Sequence, residues 1–206
     1  MNPSYLDTAQ GRKLAYHKTE GTGEEFENGC IGDWAEDAAA VISELTDGPQ
    51  ILVGSSMGGW ISLLMSKRIH PRIAGMVGIA AAPDFTEDSM WTWMTDAQKA
   101  ELNTQGFTKI ASDYDEDPYT VTQKLIEDGR NQLVLRDPLP LPFPVRLLHG
   151  TADIDVDISV ALKLLEHASG PDMRLTLVKD ADHRFSSEVA LSMIEAAIAE
   201  ITELVS

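Results

Sequence analysis

The sequence predicts an α/β protein built on a mostly parallel sheet with helices on both faces. Three observations predict it. From residue 50 onward, short continuous apolar runs read as buried strands rather than half-exposed ones. Helical segments separate those runs, which is the pattern of parallel strands joined by crossovers. A tight Gly-Ser-Ser-Met-Gly turn, 54–58, joins one such strand to the next helix.

The elements follow in order. Ser4 to Thr8 and Lys13 to Lys18 read as a hairpin turned at Gln10-Gly11. Glu20 to Gly29 is polar and has no apolar period. A helix is expected from near Asp33, because Asp33 and Glu36 have capping-box spacing and Ala39, Ala40, Val41, Ile42 and Leu45 supply an apolar face. Ile51 to Val53 is a buried strand, and Met57 to Ile69 a helix stopped by Pro71. Ala74 to Ala82 is a second buried strand. Asp84 to Pro140 is mixed, with an apolar cluster at Trp91, Trp93 and Met94 and a helical stretch from Thr120 to Ile126. Val145 to Leu148 and Leu175 to Val178 are strands. Asp157 to His167 and Ser187 to Leu204 are helices. Neither repeats nor low-complexity tracts interrupt this order.

The bulk numbers bound the protein class. A chain of 206 residues, 43% hydrophobic and 24% charged, suits one soluble domain spanning 1–206. No apolar run reaches the ~20 residues that span a bilayer. Met1 to Lys13 has no apolar core of a secretory signal. Cys30 is the only cysteine, so no intrachain disulfide forms and the expected location is cytoplasmic. The net charge of -17 repels phosphate backbones and anionic lipid surfaces, so neither nucleic acid nor membrane is an expected partner.

The chemistry concentrates after the strands. Gly54-Ser55-Ser56-Met57-Gly58 fits G-x-S-x-G between a strand and a helix, where a strained turn raises a serine above the sheet. A serine hydroxyl needs a base, and that base needs a carboxylate to orient it. Asp153, in His149-Gly150-Thr151-Ala152-Asp153, follows one strand, and His183, in Asp182-His183-Arg184, follows the next. The order Ser, Asp, His, with each residue at a strand's carboxyl end, matches a nucleophile, acid and base set. Competing readings stand beside it. Ser56 also suits a plain helix cap, and a loop Asp is most often a turn or cap. Asp155, Asp157, Asp180 and Asp182 lie close by. Of the five histidines, His149 reads as a structural turn residue and His70 as a helix-end residue.

With these motifs in hand, the chain resembles serine hydrolases of the α/β-hydrolase fold. It is similar to bacterial relatives of the mitochondrial acyl-protein thioesterase that also cleaves acyl glucuronides. Ser56-Met57-Gly58-Gly59-Trp60, Ala82-Pro83-Asp84-Phe85-Thr86, Leu125-Ile126-Glu127-Asp128-Gly129-Arg130, Val145-Arg146-Leu147-Leu148-His149-Gly150 and Asp182-His183-Arg184 carry the likeness. The resemblance implies ester or thioester hydrolysis without metal or cofactor, Ser56 as nucleophile, Asp153 as acid and His183 as base. It implies Met57 as an oxyanion N–H donor and 84–140 as a cap. Trp91, Trp93 and Met94 would line an acyl pocket, with an ordinary hydrophobic core as the competing reading. Two departures stand out. Asp157 replaces a usual proline. Roughly 40 residues of the usual fold, carrying the second oxyanion donor and two strands, have no counterpart. The alternative expectation is therefore a weak or inactive hydrolase-like binding module. The Ile51 strand should then pair either with the hairpin or with a second copy in a homodimer.

Overall fold

The computed structural model describes residues 4–7, 13–16, 29–111 and 118–206, the first two segments as backbone strands. Strands β1 (Ser4–Asp7) and β2 (Lys13–Tyr16) form the expected antiparallel hairpin. The turn at Gln10-Gly11, His17 and the polar stretch up to residue 28 lie outside the described residues.

Helix α1 (Ile31–Leu45) begins two residues before the expected Asp33. No capping box forms. Cys30 is the N-cap and makes no side-chain cap bond. The orphan N–H of Gly32 instead donates to Asp128 Oδ2 at 2.6 Å, a cap supplied from 96 residues away. Asp33, freed from capping, pairs with Lys124 on the surface.

The core of the fold is a four-stranded parallel sheet in the order β8-β7-β4-β3. Its strands are β3 (Gln50–Ser55), β4 (Ile73–Ile79), β7 (Val145–Gly150) and β8 (Met173–Val178). Register pairs Leu52 with Met76, Met76 with Val145, and Val145 with Met173. β4 stops at Ile79 rather than Ala82 because Ala80 takes φ 44°, which breaks the extended chain. Helices α2 (Met57–Arg68) and α5 (Ile158–His167) join α1 over one face, and α6 (Glu188–Leu204) covers the other. The pleat sorts the side chains. Met76, Val145 and Leu147 join Ile31, Trp60, Leu63 and Leu164 in one cluster. Val77, Ile79 and Leu148 join Ala197 and Ile201 in the other. Both faces are buried, as continuous apolar strands require.

Residues 84–111 and 118–140 lie between β4 and β7 in the chain. They comprise helical turns at Thr86–Met90 and Trp91–Trp93, helix α3 (Asp96–Gln105), the antiparallel pair β5 (Phe107–Ile110) and β6 (Tyr119–Thr122), and helix α4 (Gln123–Asn131). The expected helix at Thr120 to Ile126 is thus split. Thr122 ends β6 and caps α4, its hydroxyl accepting from Leu125 N–H at 3.1 Å. β-branched Thr120, Val121 and Thr122 favour the strand side of that boundary.

β3 is an edge strand. The hairpin forms its own two-stranded sheet and does not join β3, contrary to one sequence expectation. Among the described residues nothing pairs with the outer edge of β3, and Val53 is 48% exposed. No helix among them is long and apolar enough to cross a membrane.

Candidate active site

β3 delivers Ser56 into a turn that few residues adopt. Ser56 has φ 51° and ψ -120°, outside the ordinary wells of an L-residue. Backbone bonds hold it there. Ser56 N–H donates to Ile79 C=O at 2.9 Å, and Ser56 C=O accepts from Gly59 N–H at 2.9 Å and Ala82 N–H at 3.1 Å. The turn needs glycine at 54, where a Cβ would strike the Gly58 carbonyl and Ser62 Oγ. Met57 opens α2, so its N–H has no partner four residues back and is free to donate outward at a positive helix end.

Asp153 and His183 come from the loops after β7 and β8. Those loops touch. Ala152 N–H donates to Ala181 C=O at 3.0 Å, and a Cβ on Gly150 would collide with that same carbonyl. The approach brings His183 Nδ1 within 2.9 Å of Asp153 Oδ2. A carboxylate oxygen accepts, so Nδ1 carries the proton and Nε2 is left as the acceptor. Asp153 has a fully buried side chain, and Oδ1 accepts from Asp155 N–H and Val156 N–H, both at 2.9 Å. Its two oxygens are thereby occupied and its orientation fixed.

The competing carboxylates do other work. Asp157 caps α5, accepting from Ser159 N–H at 2.8 Å, which explains an acid where the family pattern has proline; the Ser159 hydroxyl and that N–H hold its carboxyl below the usual range. Asp182 accepts from Phe185 N–H at 3.1 Å, closing the turn that carries His183. Asp155 lies on the cavity wall. Ligand atoms of Asp153, Asp155 and His183 lie within 4.8 Å of one another, a grouping that follows from the Asp153–His183 bond and the Asp153–Asp155 turn.

Ser56, Met57 and His183 line one cavity of about 1000 Å³. Half of its lining residues come from 84–111 and 118–140, among them Phe85, Met90, Trp93, Met94 and Leu135. Trp93 is 67% exposed and Met94 buried. Trp91 departs from the expectation and does not line this cavity. Its ring lies under Arg130, 4.6 Å from the centroid, and Lys99, 5.2 Å, while Arg130 also pairs with Glu87. That cation–π stack locks the helical turns onto α3 and α4.

The sequence reading missed Asp84. It is wholly buried at φ 58° and accepts from Val134 N–H at 2.7 Å and Leu135 N–H at 3.0 Å. Burial pushes its carboxyl up, against those two N–H bonds and the Arg136 guanidinium, which pull it down. Asp88 bridges Arg136 and Lys163 and sits below the usual carboxylate range. Together these acids pin the 134–136 segment, and with it Leu135, to the cavity. An acid directly after Ala82-Pro83 at a strand's end was the available signal.

Comparison with known proteins now bears on the fold. The sequence model of the Alpha/beta hydrolase family matches residues 16–200. The chain belongs to the α/β-hydrolase family. This α/β hydrolase is 29% identical over 181 residues to the human protein named Palmitoyl-protein thioesterase ABHD10, mitochondrial. The match takes in 87% of the chain and 59% of that protein, so the chain spans under two thirds of its curated relatives' length. The rat counterpart is also 29% identical, over 177 residues, with 85% and 59% covered. Among solved structures, a protein from Agrobacterium vitis S4 described as a hydrolase superposes with TM-score 0.82 at 40% identity, over 85% of this α/β hydrolase and 70% of that chain. Mouse alpha/beta hydrolase domain-containing protein 10 superposes with TM-score 0.80 at 24% identity over the full length of both chains, a likeness of fold.

Proposed function

We propose that this hydrolase cleaves carboxylic esters or thioesters through an acyl-enzyme on Ser56. The carrying observation is the 2.9 Å bond from His183 Nδ1 to Asp153 Oδ2, with His183 and Ser56 on the same cavity. In this reading His183 Nε2 takes the Ser56 proton as Oγ attacks the acyl carbonyl, and Asp153 holds the tautomer that leaves Nε2 free. Met57 N–H donates to the tetrahedral oxyanion. His183 then returns the proton to the leaving alcohol or thiol, and water repeats the sequence to release the acid. The apolar wall of Phe85, Met90, Trp93 and Met94 suits an acyl chain. The naming of the curated relatives as palmitoyl-protein thioesterases agrees with a thioester.

A fluorophosphonate should add one covalent adduct by intact mass, absent in Ser56→Ala. An unmodified wild-type protein, or an adduct that persists in the variant, would sink the proposal. A second reading, a weak or inactive hydrolase-like binding module, is favoured by the outer edge of β3, which pairs with no strand among the described residues. The strand that leads to the second oxyanion donor belongs there in the usual fold, and losing one donor costs about 10²–10³ in turnover. Equal turnover of short-chain p-nitrophenyl esters by wild type and Ser56→Ala would favour it.

A further inference from the structure

We propose that His149 is a positioning residue for Asp153. This rests on the reading of Ser56, Asp153 and His183 as a triad. The sequence suggests a turn residue, but His149 is the fifth residue of strand β7 and is 1% exposed. It lies on the pleat shared with Val145 and Leu147, the side covered by α5. A buried imidazole is costly unless bonded. His149 Nε2 lies 2.9 Å from Val156 C=O, and a carbonyl only accepts, so Nε2 bears the proton.

That bond closes a loop through one residue. Val156 N–H donates to Asp153 Oδ1 at 2.9 Å, while Val156 C=O accepts from His149. The strand therefore grips the loop at Val156, and Val156 grips the carboxylate. The same Nε2 atom lies 3.6 Å from Asp153 Oδ2, the oxygen that receives His183. Its hydrogen goes to Val156 C=O, so the donor dipole sits beside the carboxylate without displacing His183. Val156 also lines the cavity, so one clamp fixes both the acid and part of the wall.

The fold itself gains little from a histidine here. With Nε2 protonated, Nδ1 is a bare acceptor, and it has no partner among the described residues. The void beside the ring is lined by Ala81, Leu147, Ala161 and Leu164, which supply no donor side chain. A leucine would avoid that orphaned nitrogen and would forfeit only the bond to Val156 C=O, which lies in the loop. The benefit that offsets this cost is at the loop.

The test compares His149→Leu with His149→Gln, whose amide nitrogen reaches about where Nε2 lies. Each is normalised to folded protein by thermal melt and to Ser56 by fluorophosphonate titration. His149→Leu should lower kcat on the order of 10²-fold with KM little changed, as expected for a displaced acid. It should also weaken the low-field NMR signal of the proton between Asp153 and His183. His149→Gln should restore most of both. Should the leucine variant not fold, His149→Asn, too short to reach Val156, replaces it. A folded leucine or asparagine variant with wild-type kcat and an unchanged NMR signal overturns the clamp. A wild-type protein that is never labelled at Ser56 instead overturns the triad reading, and the NMR signal alone then decides whether His149 holds Asp153.

Discussion

At the scale of single residues, the site depends on groups denied their usual freedom. Ser56 is held at positive φ by three backbone bonds, and Asp153 by two N–H donors and one imidazole. This explains why Asp153 rather than its neighbours should govern activity. Asp153→Asn should keep the fold and lower kcat by roughly 10⁴-fold, because an amide that donates toward Nδ1 reverses the tautomer His183 needs. Asp155→Asn and Asp182→Asn should lose little. Asp155 contributes its backbone N–H to Asp153, and Asn at 182 keeps an oxygen for Phe185 N–H. Ester kinetics on the three variants decide the matter, and a crippled Asp155→Asn beside a mild Asp153→Asn would reassign the acid. The placement of Ser56, Asp153 and His183 just past strand ends was legible in the sequence, because each follows an apolar run. Asp84 and His149 were not, because their partners, Val134, Leu135 and Val156, meet them only when loops fold back.

At the scale of elements, β3 stands apart. It leads directly into Ser56, the proposed nucleophile, yet among the described residues it pairs with β4 on one side and with no strand on the other. In a parallel ladder a strand directs alternate residues' N–H groups to each neighbour. Alternate amides among Ile51, Leu52 and Val53 should therefore exchange fast in a monomer. Uniform protection across all three, in a particle of twice the monomer mass, would show a homodimer made through this edge. The boundaries of α1 and α4 show what sequence patterns miss at this scale. The Asp33–Glu36 spacing is that of a capping box, but Asp128 reaches the helix first and Lys124 takes Asp33. A local signal loses to a partner some 90 residues away because burial makes that long-range bond stronger.

At the scale of the whole molecule, the -17 charge places weight on the few buried cations. Arg146 is 5% exposed and joins β7 to α6 through Glu200 at 2.8 Å and to Asp172 at 2.7 Å. The Arg146 guanidinium holds the Glu200 carboxyl down to about 2, with help from Arg174. Its folded value lies below its unfolded one, so Glu200 stabilises the fold above the ordinary carboxylate range and that contribution fades as pH falls toward about 2. Glu200→Gln should therefore lower the melting temperature near neutral pH, modestly because Glu200 is 39% exposed. The gap to wild type should narrow as the pH is lowered from the ordinary carboxylate range toward about 2. A gap independent of pH would mean that packing, not charge, links α6 to the sheet.

The sequence by itself determined the parallel sheet, its two helical faces and the ordered Ser56, Asp153 and His183, because period, glycine placement and strand-end position are local properties of the chain. The tertiary structure decided the rest. It put Trp91 under Arg130 and away from the cavity, placed His149 behind Asp153, and left β3 at an edge. Each of these depends on which groups distant in the chain come to lie beside one another, and that is settled only when the whole core closes.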